Sequence, residues 1–323
     1  MTERKKTMEK PVFVINGFLD SGKTSFIRDT LNDPQFLASG KVLLILCEEG
    51  EEEYDEVELS KKGVSIISVE EQEQLTTEFL SGLEKFYKPN MIMIEWNGVW
   101  KLVDLLDLDM PKEWAITQII TMLDSTTFPM YINNMRAMIL DEVRYSDVVI
   151  VNRCDDATDR SAIRRNIKAV NRKAMISYER ADGKEAGEFE EELPYDINAK
   201  EIEISDADYG IWFMDATENF KNYDGKVVKF LAMLYVSPRL PKGYIVPGRM
   251  VMTCCAEDTQ FSGFLAKLPA AVDPDSLKSR MWFAITAEIR IQNMREYRGK
   301  GVVLYITSMI PAKEPADPLI YFS

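Results

Sequence analysis

The sequence predicts an α/β fold with a mostly parallel sheet, followed by a smaller C-terminal all-β domain of the OB-like barrel kind. Three observations point there. Short, near-continuously apolar runs alternate with helically spaced segments through residue 180, the pattern of parallel strands covered on both faces. A glycine-bounded loop, Gly17-Phe18-Leu19-Asp20-Ser21-Gly22-Lys23-Thr24, joins the first run to the first helical segment. From Tyr209 onward the texture becomes strand-like, with turn signals between runs.

Taken in order, Pro11 to Asn16 reads as a buried strand, Thr24 to Leu31 as a helix and Lys41 to Leu46 as a second strand. An acidic stretch runs from Glu48 to Glu58, and Val64 to Val69 is a third strand. Gln74 to Phe86 places Leu75, Phe79, Leu80 and Leu83 at helical spacing. Met91 to Ile94, Ala115 to Leu123 and Asp147 to Val151 are further strands. Ala181 to Ile197 is polar and acidic, with Pro194 near its end, and reads as a linker or insertion. The expected division is therefore 1–180 for the nucleotide domain, 181–205 for the acidic linker or insertion, and 206–323 for the β-rich domain. Within the last, the expected strands are Gly210 to Met214, Lys226 to Tyr235, Arg249 to Cys255, Gly263 to Leu268, Met281 to Ile291 and Val302 to Ile310. Asp224-Gly225, Pro247-Gly248 and Arg298-Gly299-Lys300-Gly301 are read as turns between them.

Composition bounds the function. A length of 323 residues makes two domains the default, and 46% hydrophobic residues supply an ample core. The net charge of -14 disfavours non-specific binding to nucleic acid or to anionic membrane. Few basic residues stand among the C-terminal aromatics, so no nucleic-acid partner is expected. Four cysteines (Cys47, Cys154, Cys254 and Cys255) do not make a disulfide framework and suit a reducing compartment. Histidine is absent, which removes the commonest zinc ligand and the commonest general base. The charged N-terminus lacks a signal-peptide core, and no long apolar run appears. A cytoplasmic protein with no direct membrane insertion is expected.

The Gly17 to Thr24 segment fits Gly-x4-Gly-Lys-Thr, in a strand–loop–helix setting. This is the phosphate-binding loop of a P-loop NTPase fold. Its glycines let backbone N–H groups turn inward around phosphates, and the helix N-terminus adds partial positive charge. Gly17, Asp20, Ser21, Gly22, Lys23, Thr24 and Ser25 are the candidate phosphate-binding residues. Lys23 reaches the β- and γ-phosphates as a point charge, and the Thr24 hydroxyl completes a Mg²⁺ shell.

The base is read from Asn152-Arg153-Cys154-Asp155, which follows the apolar run Val148 to Val151. An Asn-Lys-x-Asp motif in that place selects guanine, because the carboxylate accepts from the ring N–H and the exocyclic amine. Asn152 and Asp155 hold those positions, and Arg153 stands where lysine is usual. GTP is therefore favoured, with ATP as the alternative if the Arg153 change breaks guanine selection. For the Mg²⁺ side, Glu95 ends the run Met91 to Ile94, and Gly98 three residues later offers its N–H to the γ-phosphate.

Together these residues resemble the CobW-like family of metallochaperone GTPases. The loop matches that family's Gly-Phe-Leu-Gly-(Ala/Ser)-Gly-Lys-Thr except at Asp20, and Glu95 to Gly98 has its Glu-x-x-Gly form. Glu48, Gly50 and Asp55 match the segment after its second strand, with Cys47 in place of Asn. The resemblance implies that Glu48 contacts Mg²⁺ or its waters. The metal set is then Thr24, Glu48 and Glu95, and the catalytic set Lys23, Glu95 and Glu48. The family's Cys-x-Cys-Cys motif is missing: Glu70-Glu71-Gln72-Glu73-Gln74 occupies its place, without the thiolates that make a soft metal site. The C-terminal half is similar to the C-terminal domain of small membrane-associated proteins paired with a predicted permease. It implies a membrane permease or a metal-handling protein as partner, besides GTP and GDP. Adjacent Cys254 and Cys255 point to opposite faces if they lie on a strand. The expected use is a regulatory GTPase with slow Mg²⁺-dependent hydrolysis. The alternative is a nucleotide-dependent scaffold with little turnover.

Overall fold

The computed structural model describes residues 9–38, 40–48, 54–187, 193–252 and 259–321. The chain divides into two compact units, Met1–Phe189 and Glu190–Ser323.

The first unit is a seven-stranded parallel sheet. Its strands are β1 (Lys10–Asn16), β2 (Val42–Leu46), β3 (Val64–Ser68), β4 (Met91–Glu95), β5 (Trp114–Asp124), β6 (Val148–Asn152) and β7 (Met175–Tyr178). Their order across the sheet is β3-β2-β4-β1-β5-β6-β7, and every pairing is parallel. Among the described residues eight α-helices accompany them: α1 (Lys23–Asn32), α2 (Pro34–Leu37), α3 (Glu56–Lys61), α4 (Thr77–Tyr87), α5 (Leu102–Leu106), α6 (Phe128–Asn134), α7 (Arg136–Arg144) and α8 (Arg160–Val170). Successive side chains of a strand serve opposite faces, and both faces are buried here. Val12, Val14, Leu43, Ile45, Ile92 and Ile94 pack with Leu80 and Leu83 of α4. Ile15, Leu44 and Met93 pack on the other face with Ile27 and Leu31 of α1. This double burial is why the central strands read as continuous apolar runs. The edge strand β7 has Met175 exposed and its other residues half-buried, so its short run lacks that signal and the sequence reading omits it.

The second unit contains β8 (Glu201–Glu203), helix α9 (Tyr209–Glu218), β9 (Val227–Tyr235), β10 (Tyr244–Met252), β11 (Thr259–Gly263), β12 (Leu265–Lys267), β13 (Trp282–Met294), β14 (Gly299–Pro311) and β15 (Leu319–Tyr321). Five of these close a barrel through the pairings β9–β10, β10–β12, β12–β14, β14–β13 and β13–β9. Numbered along the chain, the barrel strands run 1-2-3-5-4-1, with the third and fifth parallel. This is the expected OB-like barrel. β8 extends it beside β9, while β11 and β15 pair with β10.

Two expectations fail in this unit. Gly210 to Met214 is helix, not strand. Tyr209, Gly210, Trp212, Phe213, Met214 and Ala216 are all buried, so α9 is apolar nearly all round, and a short run of that kind is ambiguous by periodicity. Its rings form one aromatic cluster: Trp212 lies 4.9 Å from Phe230 and 5.4 Å from Phe264. Pro247-Gly248 is not a turn but the middle of β10. A Cβ on Gly248 would stand 2.3 Å from the Ser262 carbonyl oxygen, so glycine there permits close backbone approach to β11 rather than chain reversal. Cys254 and Cys255 lie outside the described residues.

Candidate functional site

The site gathers at the C-terminal ends of β1, β2, β4, β5 and β6, the usual crevice of an open parallel sheet. After Asn16 the chain leaves β1 through Gly17 (φ 135°), crosses Asp20 (φ 61°) and enters α1 from Gly22 (φ 102°). Only glycine adopts that last conformation without strain. A Cβ on Gly22 would also meet the Asn152 amide nitrogen at 2.6 Å. Lys23, Thr24 and Ser25 then form the first turn of α1, the end of a helix at which anions are stabilised.

Lys23 is buried, and its ammonium donates to the carbonyls of Gly17 (2.5 Å) and Phe18 (3.0 Å). It also pairs with the Glu48 carboxylate at 2.5 Å. The other Glu48 oxygen accepts from the Gly98 N–H at 3.3 Å. One carboxylate thus collects the loop lysine and the Gly98 amide. Gly98 itself lies against the loop, since a Cβ there would stand 2.4 Å from the Gly17 oxygen. Thr24 Oγ1 donates to Glu95 Oε1 at 2.6 Å, and Tyr54 Oη donates to Glu95 Oε2 at 2.7 Å. Burial pushes the Glu95 carboxyl up, against the lowering hydrogen bonds from Thr24 and Tyr54. Cys47 is buried beside this pair, and its thiol is pushed up to about 12, first by burial and then by Glu95 and Glu48. Its surroundings therefore favour the protonated thiol. An open cavity of about 1070 Å³ adjoins, lined by Thr24, Cys47, Glu48, Tyr54, Glu70 and Glu95 among others. Hydroxyl and carboxylate oxygens from Thr24, Glu95 and Glu48 are a hard donor set that suits Mg²⁺. Among the described residues no group of three or more His, Cys, Asp or Glu is arranged to hold a metal by itself.

On the base side, Asn152 lies over Gly22, and its Oδ1 accepts from the Arg153 N–H at 2.7 Å. Arg153 takes φ 56°, and its guanidinium donates to the Asp20 carbonyl at 2.7 Å while pairing with Asp124 at the end of β5. Ser125 reinforces the turn, donating through Oγ to the Arg153 carbonyl at 2.8 Å. Asp155 is exposed, and its carboxylate accepts from Thr158 Oγ1 and Ala157 N, each at 3.0 Å. Those bonds, Thr158 first, hold its carboxyl below the usual range, so it stands charged.

Beneath the loop lies a carboxyl group that the sequence does not single out. Glu142 of α7 is buried, and neither carboxylate oxygen has a hydrogen-bond partner among the described residues. Its backbone carbonyl accepts from Asn16 Nδ2 (3.4 Å), Thr121 Oγ1 (3.2 Å) and Ser146 Oγ (3.1 Å), so three neighbours fix it in place. Burial raises its pKa well above the ordinary carboxylate value; Lys23 opposes this, and Glu48 and Asp141 add to it. A carboxyl raised on folding holds its proton in the folded state after the unfolded chain has lost it. Stability from this group is therefore greatest below the unfolded pKa and falls as pH rises toward the folded one. Glu142→Gln is expected to raise the melting temperature relative to the parent by more at pH 8 than at pH 5, by about 3 °C or more at the higher pH. Equal shifts at both pH values in thermal melts would show that Glu142 does not titrate this way.

The structure thus brings Lys23, Thr24, Glu48, Glu95 and Gly98 together and rests Asn152 on Gly22. It places Asp20 and Asp155 at the exposed rim, and Gly50 lies outside the described residues. Tyr54 and Glu142 join the site without any motif to mark them, because each is recruited through tertiary packing; Asp124 reads in the sequence as a strand-end acid, and the fold pairs it with Arg153.

The sequence profile of the CobW/HypB/UreG nucleotide-binding domain matches residues 11–177, and that of the DUF1980 C-terminal domain matches residues 180–322. No curated protein matches the chain. Among solved structures, the hydrogenase maturation factor HypB from Archaeoglobus fulgidus is 18% identical, over 55% of this chain and 84% of that one, with a TM-score of 0.42. The Zn(II)-bound YjiA GTPase from E. coli is 15% identical, over 82% and 91%, with a TM-score of 0.42. HypB from Helicobacter pylori in complex with nickel is 17% identical, over 53% and 80%, with a TM-score of 0.37.

Proposed function

The chain belongs to the CobW/HypB/UreG nucleotide-binding family, and from that premise we propose that it binds GTP and hydrolyses it slowly with Mg²⁺, as a regulatory GTPase. The observation that carries the reading is the Glu48 carboxylate holding both the Lys23 ammonium and the Gly98 N–H. Two donors that converge on one anion form a seat of the kind a γ-phosphate takes. A triphosphate competes for both, and Glu48, once released, stands free to serve the Mg²⁺ side next to Thr24 and Glu95.

Lys23 and the N–H groups of the loop and first helical turn bind the phosphates. Thr24 and Glu95, with Glu48, would hold Mg²⁺, which supplies charge neutralisation across the β- and γ-phosphates. Asp155 accepts from guanine, and Asn152 braces the base motif against the loop. Histidine is absent from the whole chain, and the carboxylates at the seat, Glu48 and Glu95, are assigned to the Mg²⁺ side. Rate enhancement then rests on positioning and electrostatics alone, so turnover is slow. Tyr54 ties Glu95 to the segment leading into α3, and a cation held at Glu95 would compete with that hydrogen bond. The nucleotide state would thereby reach Tyr54 and α3. Membership of the CobW/HypB/UreG family suits a setting in metal homeostasis, with a metal-handling protein or a permease as partner. The Glu70 to Gln74 segment lacks thiolates, which favours regulation over carrying a soft metal at that position.

Titration calorimetry with GTP, GDP and ATP, with and without Mg²⁺, tests the reading, alongside phosphate release. Mg²⁺-dependent GTP binding, at least about tenfold tighter than ATP, is expected. Glu95→Gln is expected to lower Mg²⁺ affinity or turnover about 10- to 100-fold while keeping GDP binding. Equal affinity for ATP, or turnover indifferent to Mg²⁺, overturns it.

A further inference from the structure

The barrel assembles a surface that the linear sequence disperses. Register places Tyr244 of β10 opposite Lys267 of β12, and Lys267 opposite Tyr305 of β14. The three therefore form one row on the outside of the barrel, with neighbouring strands about 4.8 Å apart. From β13, Arg290 sets its guanidinium 4.2 Å from the centre of the Tyr305 ring, and Gln292 donates to Tyr305 Oη at 2.8 Å. The Lys267 ammonium lies 5.4 Å from the same ring. Arg290 also pairs with Glu288, at 3.0 and 3.2 Å.

The hairpin joining β13 to β14 is folded onto this row. Tyr297 Oη donates to the Val302 carbonyl and accepts from the Leu265 N–H at the start of β12, both at 2.8 Å. Gly301 leaves room for the Tyr297 ring, which a Cβ would meet at 2.6 Å. At the tip, Arg295 and Arg298 are exposed, and Arg298 is held at φ 52°. The connection from β9 to β10, with Arg239 and Lys242, ends at Tyr244. From Val227 to Pro311, Lys and Arg outnumber Asp and Glu. This excess is local to the barrel strands, since over Glu190–Ser323 as a whole acidic residues outnumber basic ones.

We infer that the outer face around Tyr244, Lys267 and Tyr305 binds single-stranded nucleic acid. In a 1-2-3-5-4-1 barrel, the faces of the second and third strands and the loops 1–2 and 4–5 are the surfaces that carry oligonucleotides. Here those are β10, β12 and the two connections just described. Cations alone would serve any polyanion. Interleaved tyrosine rings and an arginine plane add stacking surfaces for bases, which an acidic peptide does not use. Stacking and cation contacts do not read base edges, so the inferred binding is sequence-tolerant and falls with salt. It lies within the second unit and does not depend on the GTPase reading.

The test is fluorescence anisotropy of the full chain with a labelled 12-nucleotide single-stranded RNA, the same sequence as DNA, its duplex, and anionic phosphatidylserine vesicles. Single strands are expected to bind more tightly than duplex, with affinity declining as salt rises. Tyr305→Ala and Lys267→Ala are each expected to weaken binding about tenfold, with Tyr305→Phe near the parent. Circular dichroism confirms folding of each variant. Absence of single-strand binding at low salt overturns the proposal. So does equal binding of duplex, indifference to Tyr305→Ala in a folded variant, or capture by vesicles alone. Comparison of the RNA and DNA arms decides the sugar.

Discussion

Lys23→Ala is expected to abolish GTP binding at ordinary concentrations, with affinity falling about 10²- to 10³-fold. The lysine is 3% exposed and its ammonium points into the loop it serves. A buried charge-assisted contact contributes roughly 1.5–3 kcal/mol, and Lys23 makes at least two with a triphosphate. The substitution has a second consequence. It strands Glu48 beside Glu95 and Glu142 with no cation, and removing one partner of a buried pair destabilises by about 3–5 kcal/mol. Loss of binding and loss of fold must therefore be separated. The double variant Lys23→Ala/Glu48→Ala removes the stranded carboxylate. It is expected to recover much of the melting temperature and none of the GTP affinity. Parent-like phosphate release by a folded Lys23→Ala protein would place hydrolysis at some other site.

The physical reasons why parts of this protein were legible differ from element to element. β1, β2 and β4 are covered on both faces, so their apolar runs announce them, and the loop from Gly17 to Thr24 needs residue types that few other structures demand. Alternating burial in β9, where Val228, Phe230, Ala232 and Leu234 point inward, likewise makes a barrel strand readable. α9 failed because a helix buried nearly all round loses its period. Gly248 failed because glycine serves close approach as well as turning. Within the site, residues inside contiguous motifs were readable. The pairing of Tyr54 with Glu95, the pairing of Asp124 with Arg153 and the place of Glu142 beneath the loop were not, since these contacts span 41, 29 and 126 positions respectively. The Tyr305 face has the same character: its members come from four strands.

Asp155→Ala is expected to lower GTP affinity about 10²-fold and leave ATP affinity unchanged, removing selection between the bases. The carboxylate is exposed, and its Thr158 and Ala157 contacts fix its orientation while keeping it charged. One charged oxygen pair facing guanine's ring N–H and exocyclic amine makes two charge-assisted hydrogen bonds, and adenine offers no such pair of donors. Asp155→Asn sharpens the test. Its amide replaces one acceptor with a donor, so the variant is expected to lose GTP and gain XTP, whose base carries a carbonyl where guanine has the amine. The neighbouring arginine bears on the same point. Its guanidinium is committed to the Asp20 carbonyl and to Asp124, which leaves only its aliphatic stem for the face of the base. Arg153→Lys keeps such a stem and a cation within reach of the same oxygens, so guanine preference is expected to survive it. Competition binding with GTP, ATP and XTP reads all three variants. If Asp155→Asn fails to favour XTP while Asp155→Ala leaves GTP binding intact, guanine is not read at this position.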